Sequence, residues 1–302
     1  MTINRIQLQP PYDFARSIGF WQLSTGELCE QWADGVYRRV IVFGGQPVVL
    51  TLRNAGIVAA PAVLVELDDR AATATELARL DPLVRQLLGD DADLGGFYAA
   101  VADDPVLASV TQQLYGVCPP RSPLWETLCW VIIGQQISLP FARTLKTRLV
   151  TRYADGFAVA GRQLHLFPPA ERLAAAAIDD LLAMQFSRNK ASFIVGIAQQ
   201  IAAGQLDLDA VARMPTEAAV AHLVALRGVG RWTAEFTLLR AFGRADALPA
   251  NDAGVRQGVA ALYSTMLPEP ELRAFAARWG AWGGLAGLYL LGWLREERQK
   301  KP

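Results

Sequence analysis

The β-branched runs of this chain stop near residue 103, and that break constrains the fold more than any other feature. Before it, Val40-Ile41-Val42-Phe43 and Val48-Val49-Leu50-Thr51-Leu52 flank Gly44-Gly45-Gln46-Pro47, which predicts an antiparallel hairpin. Residues 62–68 predict a further strand and residues 12–23 a helix. Beyond it, the strands are expected to vanish. "DDPVLASVTQQLYG", "SPLWETLCWVIIGQQIS", "LPFARTLKTRLVTRYA", "PAERLAAAAIDDLLAM", "RNKASFIVGIAQQIAAG" and "PTEAAVAHLVALRGVG" read as amphipathic helices separated by proline or glycine. In the last of these, Val220, Leu223 and Val224 form an i, i+3, i+4 stripe, and Ala234, Leu238, Ala241 and Phe242 line one face of the helix after it. Strands segregated from helices select an α+β fold, a small N-terminal antiparallel sheet with helices followed by an all-α body. With 302 residues the chain exceeds the roughly 250 at which single cores stop growing, so two or three domains are expected.

Composition narrows the chemistry. The formal net charge is zero, so no global field draws the chain to a polyanion, and any such contact must come from a local patch. Of the 29 basic residues only Lys146, Lys190, Lys300 and Lys301 are lysines, which suits bidentate phosphate contacts and follows equally from GC-rich coding. Cys29, Cys118 and Cys129 are too few and scattered for a disulfide framework or a cysteine-bound cluster, and His165 and His222 stand alone. A metal or other cofactor is not expected. The N-terminus has no apolar signal region, and the uncharged run 279–294 is short for a membrane span, so it reads as a buried core helix. A reducing cytoplasm is the expected location.

The densest local signal is "LRGVGRWTA", residues 226–234. Glycines at Gly228 and Gly230 permit positive φ and close backbone approach, and the helix after them opens with free N–H groups and the positive end of its dipole. Two readings stay open at this level: an ordinary αα turn with a glycine cap, or a hairpin that holds a backbone phosphate.

The longer string "LRGVGRWTAEFTLLRAFGRADALPANDAGVRQ" resembles the helix–hairpin–helix and aspartate segment of the DNA base-excision glycosylase superfamily. It is most similar to the alkylation-repair branch, the 3-methyladenine DNA glycosylase II (AlkA) type. "QPPYDF" (9–14), "IIGQQIS" (132–138), "LFPPAERLA" (166–174) and "RWGAWGGLAGLYLLGW" (278–293) resemble further parts of that type in the same order. The resemblance implies a TBP-like α/β accessory domain over 1–102 and a helical glycosylase body over 103–302. In that body, 126–244 form a central subdomain carrying the hairpin 226–234, and 103–125 with 245–302 form a second.

It also implies roles. Asp252 matches the catalytic aspartate, although Asn251-Asp252 is by itself an ordinary helix N-cap; Asp246 does not match and is expected to be solvated. Trp232, Phe236, Trp282 and Leu291 are implied to line the pocket. Leu291 replaces a tryptophan, Phe236 a tyrosine and Gly283 an arginine, which implies a wider pocket and an altered range of bases. Trp232 stands where bifunctional branches carry a Schiff-base lysine, so lyase chemistry lacks its nucleophile. Gln136 is implied to fill the gap left by a flipped nucleotide, though Gln135 and Gln136 read equally well as residues facing water. Gly228, Val229, Gly230, Arg231 and Thr233 are implied to meet the DNA backbone, Arg231 and Arg240 through phosphates. Carbonyls of Leu226, Gly228 and Val229 are implied to suit a monovalent cation that the reaction does not require.

The implied function is a monofunctional N-glycosylase acting on alkylated bases in double-stranded DNA, without a cofactor, as a monomer in a bacterial cytosol or nucleoid. The alternatives are a non-catalytic binder of damaged DNA and, below it, a helical interaction scaffold. Asp252 separates the first from the second, because a binder needs no carboxylate there.

Overall fold

A computed structural model describes residues 4–21, 27–159 and 161–300. The N-terminal part is an antiparallel sheet in the order β1 (Arg5–Gln7), β5 (Ala62–Leu67), β4 (Gln46–Asn54), β3 (Val36–Phe43), β2 (Glu30–Ala33), with β6 (Arg70–Ala71) beside β5. The expected hairpin is β3–β4. Its register closes at Phe43 opposite Gln46, leaving Gly44 and Gly45 as a two-residue turn with φ of 61° and 79°, the backbone glycine adopts readily. Helices α1 (Phe14–Trp21), α2 (Ala74–Leu88) and α3 (Leu94–Ala100) accompany the sheet. Gln22 and Leu23, included in the expected first helix, lie outside the described residues.

The body then runs through α4 (Pro105–Gln113), α5 (Leu124–Gly134) and α6 (Leu139–Tyr153). One expectation fails next, because β7 (Gly156–Val159) and β8 (Arg162–His165) form a second hairpin. These four-residue strands are too short for an alternating pattern to stand out. They complete the sheet's outer face: Val159 and Leu164 pack on Val40 and Val49, and the His165 N–H donates to the Leu28 carbonyl at 2.7 Å. Strands therefore do not end at residue 103. The segment "PAERLAAAAIDDLLAM" is likewise two short helices, α7 (Ala170–Ala174) and α8 (Ile178–Ala183), rather than one.

Then come α9 (Arg188–Ala202), α10 (Leu208–Arg213), α11 (Thr216–Val224), α12 (Arg231–Phe242), α13 (Ala253–Tyr263), α14 (Glu269–Ala276) and α15 (Gly283–Lys300). In α11, Val220 and Leu223 are buried but Val224 is 42% exposed, so the stripe is narrower than expected. The apolar run that begins at Trp279 is not one helix. Gly280, at φ 53° and ψ −131°, breaks it, and a 3-10 segment (Ala277–Trp282) precedes α15. Among the described residues no helix is long and apolar enough to cross a membrane. The buried core runs continuously from Ile6 in β1 to Leu290 in α15. At its centre lies α5, in which every residue from Leu124 to Cys129 is buried.

Candidate active site

The hairpin joins α11 to α12, and its two glycines do different things. Gly228 sits at φ 88°, and an added Cβ would overlap the ring of Phe193 on α9, so both backbone and packing require glycine. Gly230 does not take the positive φ expected of it. It is the N-cap of α12 at φ −90° and ψ 174°, and a Cβ there would meet nothing within 4 Å. Nothing inside the protein needs that position to be small. Gly228→Ala should therefore destabilise the fold by about 1–2 kcal/mol of left-handed strain plus about 1–3 kcal/mol of overpacking. Gly230→Ala should leave stability within about 0.5 kcal/mol. Urea unfolding of both variants checks the contrast, and equal losses would contradict it.

Between the glycines, Val229 is buried, as is Thr233 in the first turn of α12, so only their backbone groups can face a ligand. Gly230 supplies no side-chain cap to the helix, which leaves the first-turn N–H groups directed outward.

The turn between α5 and α6 meets this hairpin. Gln135 does not face water: its Nε2 donates to the Gly228 carbonyl and to Thr233 Oγ, both at 3.0 Å. Gln136 is exposed at the tip, in left-handed backbone at φ 55°. Lys190 on α9 stabilises the base of the turn by donating from Nζ to the last-turn carbonyl of Ile133 at 2.7 Å; burial lowers its pKa. The carbonyls implied for a monovalent cation are partly committed. Leu226 O accepts from the Val229 N–H at 3.1 Å and Gly228 O from Gln135, so each would offer a cation only its second lone pair.

Asp252 reaches the same place from the loop after α12. Its Oδ1 accepts from the Gly254 and Val255 N–H groups at 2.8 and 3.1 Å, capping α13, while Oδ2 accepts from Trp232 Nε1 at 3.0 Å. The cap reading and the site reading of this residue are thus compatible, one for each oxygen. Trp232 lies 5.7 Å from Phe236, the rings tilted by 33°, and both are half-buried. Leu291 packs so closely on Gly254 that a Cβ there would overlap it. The structure therefore brings Asp252, Trp232, Phe236 and Leu291 together. Trp282 is placed elsewhere: it packs on Phe97 at 5.8 Å and lines a separate cavity of about 220 Å³ with Leu239, Phe242 and Arg121. Asp246 is exposed, as expected, and accepts from Thr216 Oγ at 2.9 Å.

The arginines need the largest correction. Arg231 is held by Glu217 at 2.7 Å and Glu235 at 2.8 Å, so a phosphate would compete with two carboxylates for it. Arg240 is half-buried on α12, where burial pulls its pKa down to about 10, so less of it is open to a phosphate than an exposed helix cation would offer. Arg227 is a further exposed cation at the hairpin, with no carboxylate ion pair among the described residues and its guanidinium 5.8 Å from the Phe193 ring centre. Its place inside "LRGVG" was the available signal. Glu235, only 2% exposed, receives Arg231 and also Arg273 of α14, and burial outweighs the two guanidiniums to push its pKa up.

Residues 129–280 match the family described as HhH-GPD superfamily base excision DNA repair protein. The chain belongs to the HhH-GPD superfamily. Residues 4–123 of this HhH-GPD protein also match the AlkA N-terminal domain. It is 28% identical over 291 residues to the DNA-3-methyladenine glycosylase of Bacillus subtilis, covering 94% of this chain and 95% of that one. To DNA-3-methyladenine glycosylase 2 of Escherichia coli it is 25% identical over 297 residues, covering 96% and 98%. Its fold superposes on the 3-methyladenine DNA glycosylase of Archaeoglobus fulgidus with a TM-score of 0.82 at 26% identity, covering 96% of this chain and 98% of that one. The α+β architecture expected from the sequence is the one observed.

Proposed function

We propose that this HhH-GPD protein is a monofunctional DNA N-glycosylase that extrudes an alkylated, 3-methyladenine-like base from duplex DNA and hydrolyses its N-glycosidic bond, leaving an abasic site. The observation that carries the reading is the Asp252 carboxylate. One oxygen is fixed by the α13 cap, the other is aimed by the Trp232 indole N–H, and the residue stays partly open beside an aromatic pair. Cleavage of the glycosidic bond develops oxocarbenium-like positive charge on the sugar, and a preorganised anion next to it lowers that barrier and can orient the attacking water. Trp232 and Phe236 offer faces on which an extruded, electron-poor base stacks. A purine methylated on a ring nitrogen is cationic and already a good leaving group, so a pocket widened by Leu291 can still select it chemically. The names of the relatives support the same substrate class.

Duplex contact is assigned to the outward N–H groups at the start of α12, to the open face of Gly230, to Arg227 and to the tip residue Gln136, which would occupy the space of the departed nucleotide. The protein would act as a monomer in the cytoplasm, since one damaged nucleotide imposes no two-fold symmetry.

With purified protein and duplex DNA carrying N-methylated purines, free methylated base and abasic sites should accumulate, and borohydride should trap no protein–DNA adduct because position 232 holds no lysine. Lesion binding without base release would overturn the catalytic reading in favour of a binder. A trapped adduct would overturn the monofunctional one.

A further inference from the structure

We propose that Glu235 and Arg273 are positioning residues that set the backbone carrying Asp252 relative to the hairpin helix. This rests on the catalytic reading of Asp252 above. Glu235 projects from α12 three residues after Trp232, and Arg273 grips it with both terminal nitrogens: Nη1 lies 2.9 Å from Oε1 and Nη2 donates to Oε2 at 3.0 Å. The same Nη1 donates to the Leu248 carbonyl at 3.2 Å, and Glu269 holds the guanidinium from its own helix at 2.8 Å. Leu248 begins the last stretch before the aspartate. Its carbonyl also accepts from the Ala250 N–H at 2.8 Å, and the next carbonyl, Pro249, accepts from the Asp252 N–H at 2.8 Å. Two consecutive carbonyls are thus tied down immediately before Asp252.

The rest of the loop is moored to α15. Ala245 O accepts from the Gly284 N–H at 2.6 Å and the Leu285 N–H at 3.1 Å, and Gly284 sits against the backbone of Ala247, where a Cβ would not fit. Those contacts fix where the loop leaves α12, while Arg273 ties the Leu248 carbonyl, in its aspartate-proximal half, back to α12 through Glu235. The result is a closed ring: Trp232 and Glu235 on one helix, Asp252 and Leu248 on one loop, joined by an indole–carboxylate bond at one end and a guanidinium at the other. A ring of this kind resists sliding of the loop along α12. A displacement of about 1 Å at a reacting group can cost about a hundredfold in rate. Arg231, which shares Glu235 Oε1 at 2.8 Å, extends the ring to the first residue of the hairpin helix.

The test uses Arg273→Ala and Arg273→Lys in the full chain. Lysine keeps a charge for Glu235 but cannot span Glu235, Glu269 and the Leu248 carbonyl with one compact ammonium. Both variants should lower single-turnover base release, by about tenfold or more for alanine, with affinity for methylated duplex changed by less than about twofold. In an Asp252→Asn background, Arg273→Lys should produce no further loss, because the two act through one group. Independently of activity, the assigned Trp232 indole N–H resonance of Arg273→Lys should shift as its bond to Asp252 changes. If Arg273→Ala does not fold, Arg273→Lys carries every arm.

Multiplicative loss in the double variant, weakened affinity with an unchanged rate, or an unmoved Trp232 resonance would overturn the proposal. Should the wild type release no base, the glycosylase reading fails, while the resonance still decides whether Arg273 positions Asp252.

Discussion

Asp252→Asn should cut single-turnover base release by about 10²–10³-fold, the scale on which removal of one preorganised electrostatic group is felt, while the thermal midpoint changes little. The contrast follows from the division of labour between the two carboxylate oxygens. Asparagine is as good an N-cap as aspartate, so its amide oxygen can keep the bonds to the Gly254 and Val255 N–H groups that start α13. What it lacks is the charge. It also turns a donor toward Trp232 Nε1, where Oδ2 now accepts, so the indole loses its partner and the pocket wall loses its orientation. Asp252→Ala removes charge and cap together and should add a stability loss of about 1 kcal/mol, so it cannot separate the two roles. Measured release of free methylated base and a melting curve for each variant decide the matter. Undiminished release by Asp252→Asn would remove the carboxylate from the chemistry and leave it a cap.

What could be read from the sequence depended on how local its cause was. Gly228 and Asp252 were legible because a left-handed turn and a helix cap are decided within a few residues. Trp232 was placed by the resemblance at the hairpin and Leu291 by the register that Trp279 and Trp282 fix, and the structure puts both beside Asp252 or its cap. The resemblance that put Leu291 in the pocket also put Trp282 there, whereas in the structure Trp282, just after the break at Gly280, packs on Phe97. Gln135 was read as solvated because its partners, Gly228 and Thr233, lie more than ninety residues away and nothing nearby announces them. Glu235 looks from the sequence like any acid on a helix surface; that it is buried follows only from Arg231 and Arg273 converging on it. Arg240 shows the reverse error, since a cation on an amphipathic helix is ordinarily exposed and this one is half-buried.

The same long-range logic gives the N-terminal sheet a task, and Glu126→Gln tests it. Glu126 lies in the middle of α5, 3% exposed, between Arg39 of β3, which pairs with its Oε2, and Lys146 of α6, whose Nζ is 3.1 Å from its Oε1. Glu30 of β2 takes the other side of Arg39 at 2.9 Å, and Glu27 takes Lys146 at 3.0 Å. The sheet is thereby bonded to the two helices whose junction presents Gln136. Burial pushes the Glu126 pKa up, but Arg39 and then Lys146 outweigh it, and the net shift is downward. A carboxyl whose folded pKa lies below its unfolded value of about 4.3 contributes stability that is fully present above that value and is lost as pH falls through the folded pKa. At pH 7, Glu126→Gln should therefore cost about 3–5 kcal/mol, because it leaves Arg39 and Lys146 buried without their shared counter-charge. Below the unfolded value the unfolded wild-type chain binds a proton at Glu126 that the folded carboxylate does not, so the difference between the two proteins should begin to shrink as pH drops below about 4.3. Urea midpoints at pH 7 and pH 3.5 measure both quantities, and a gap that is equal at the two pH values would show that the charge of Glu126 is not what joins the sheet to α5 and α6. If the gap does shrink, base release by the variant at pH 7 should also fall, since the turn bearing Gln136 is then held by one helix pair without the sheet behind it.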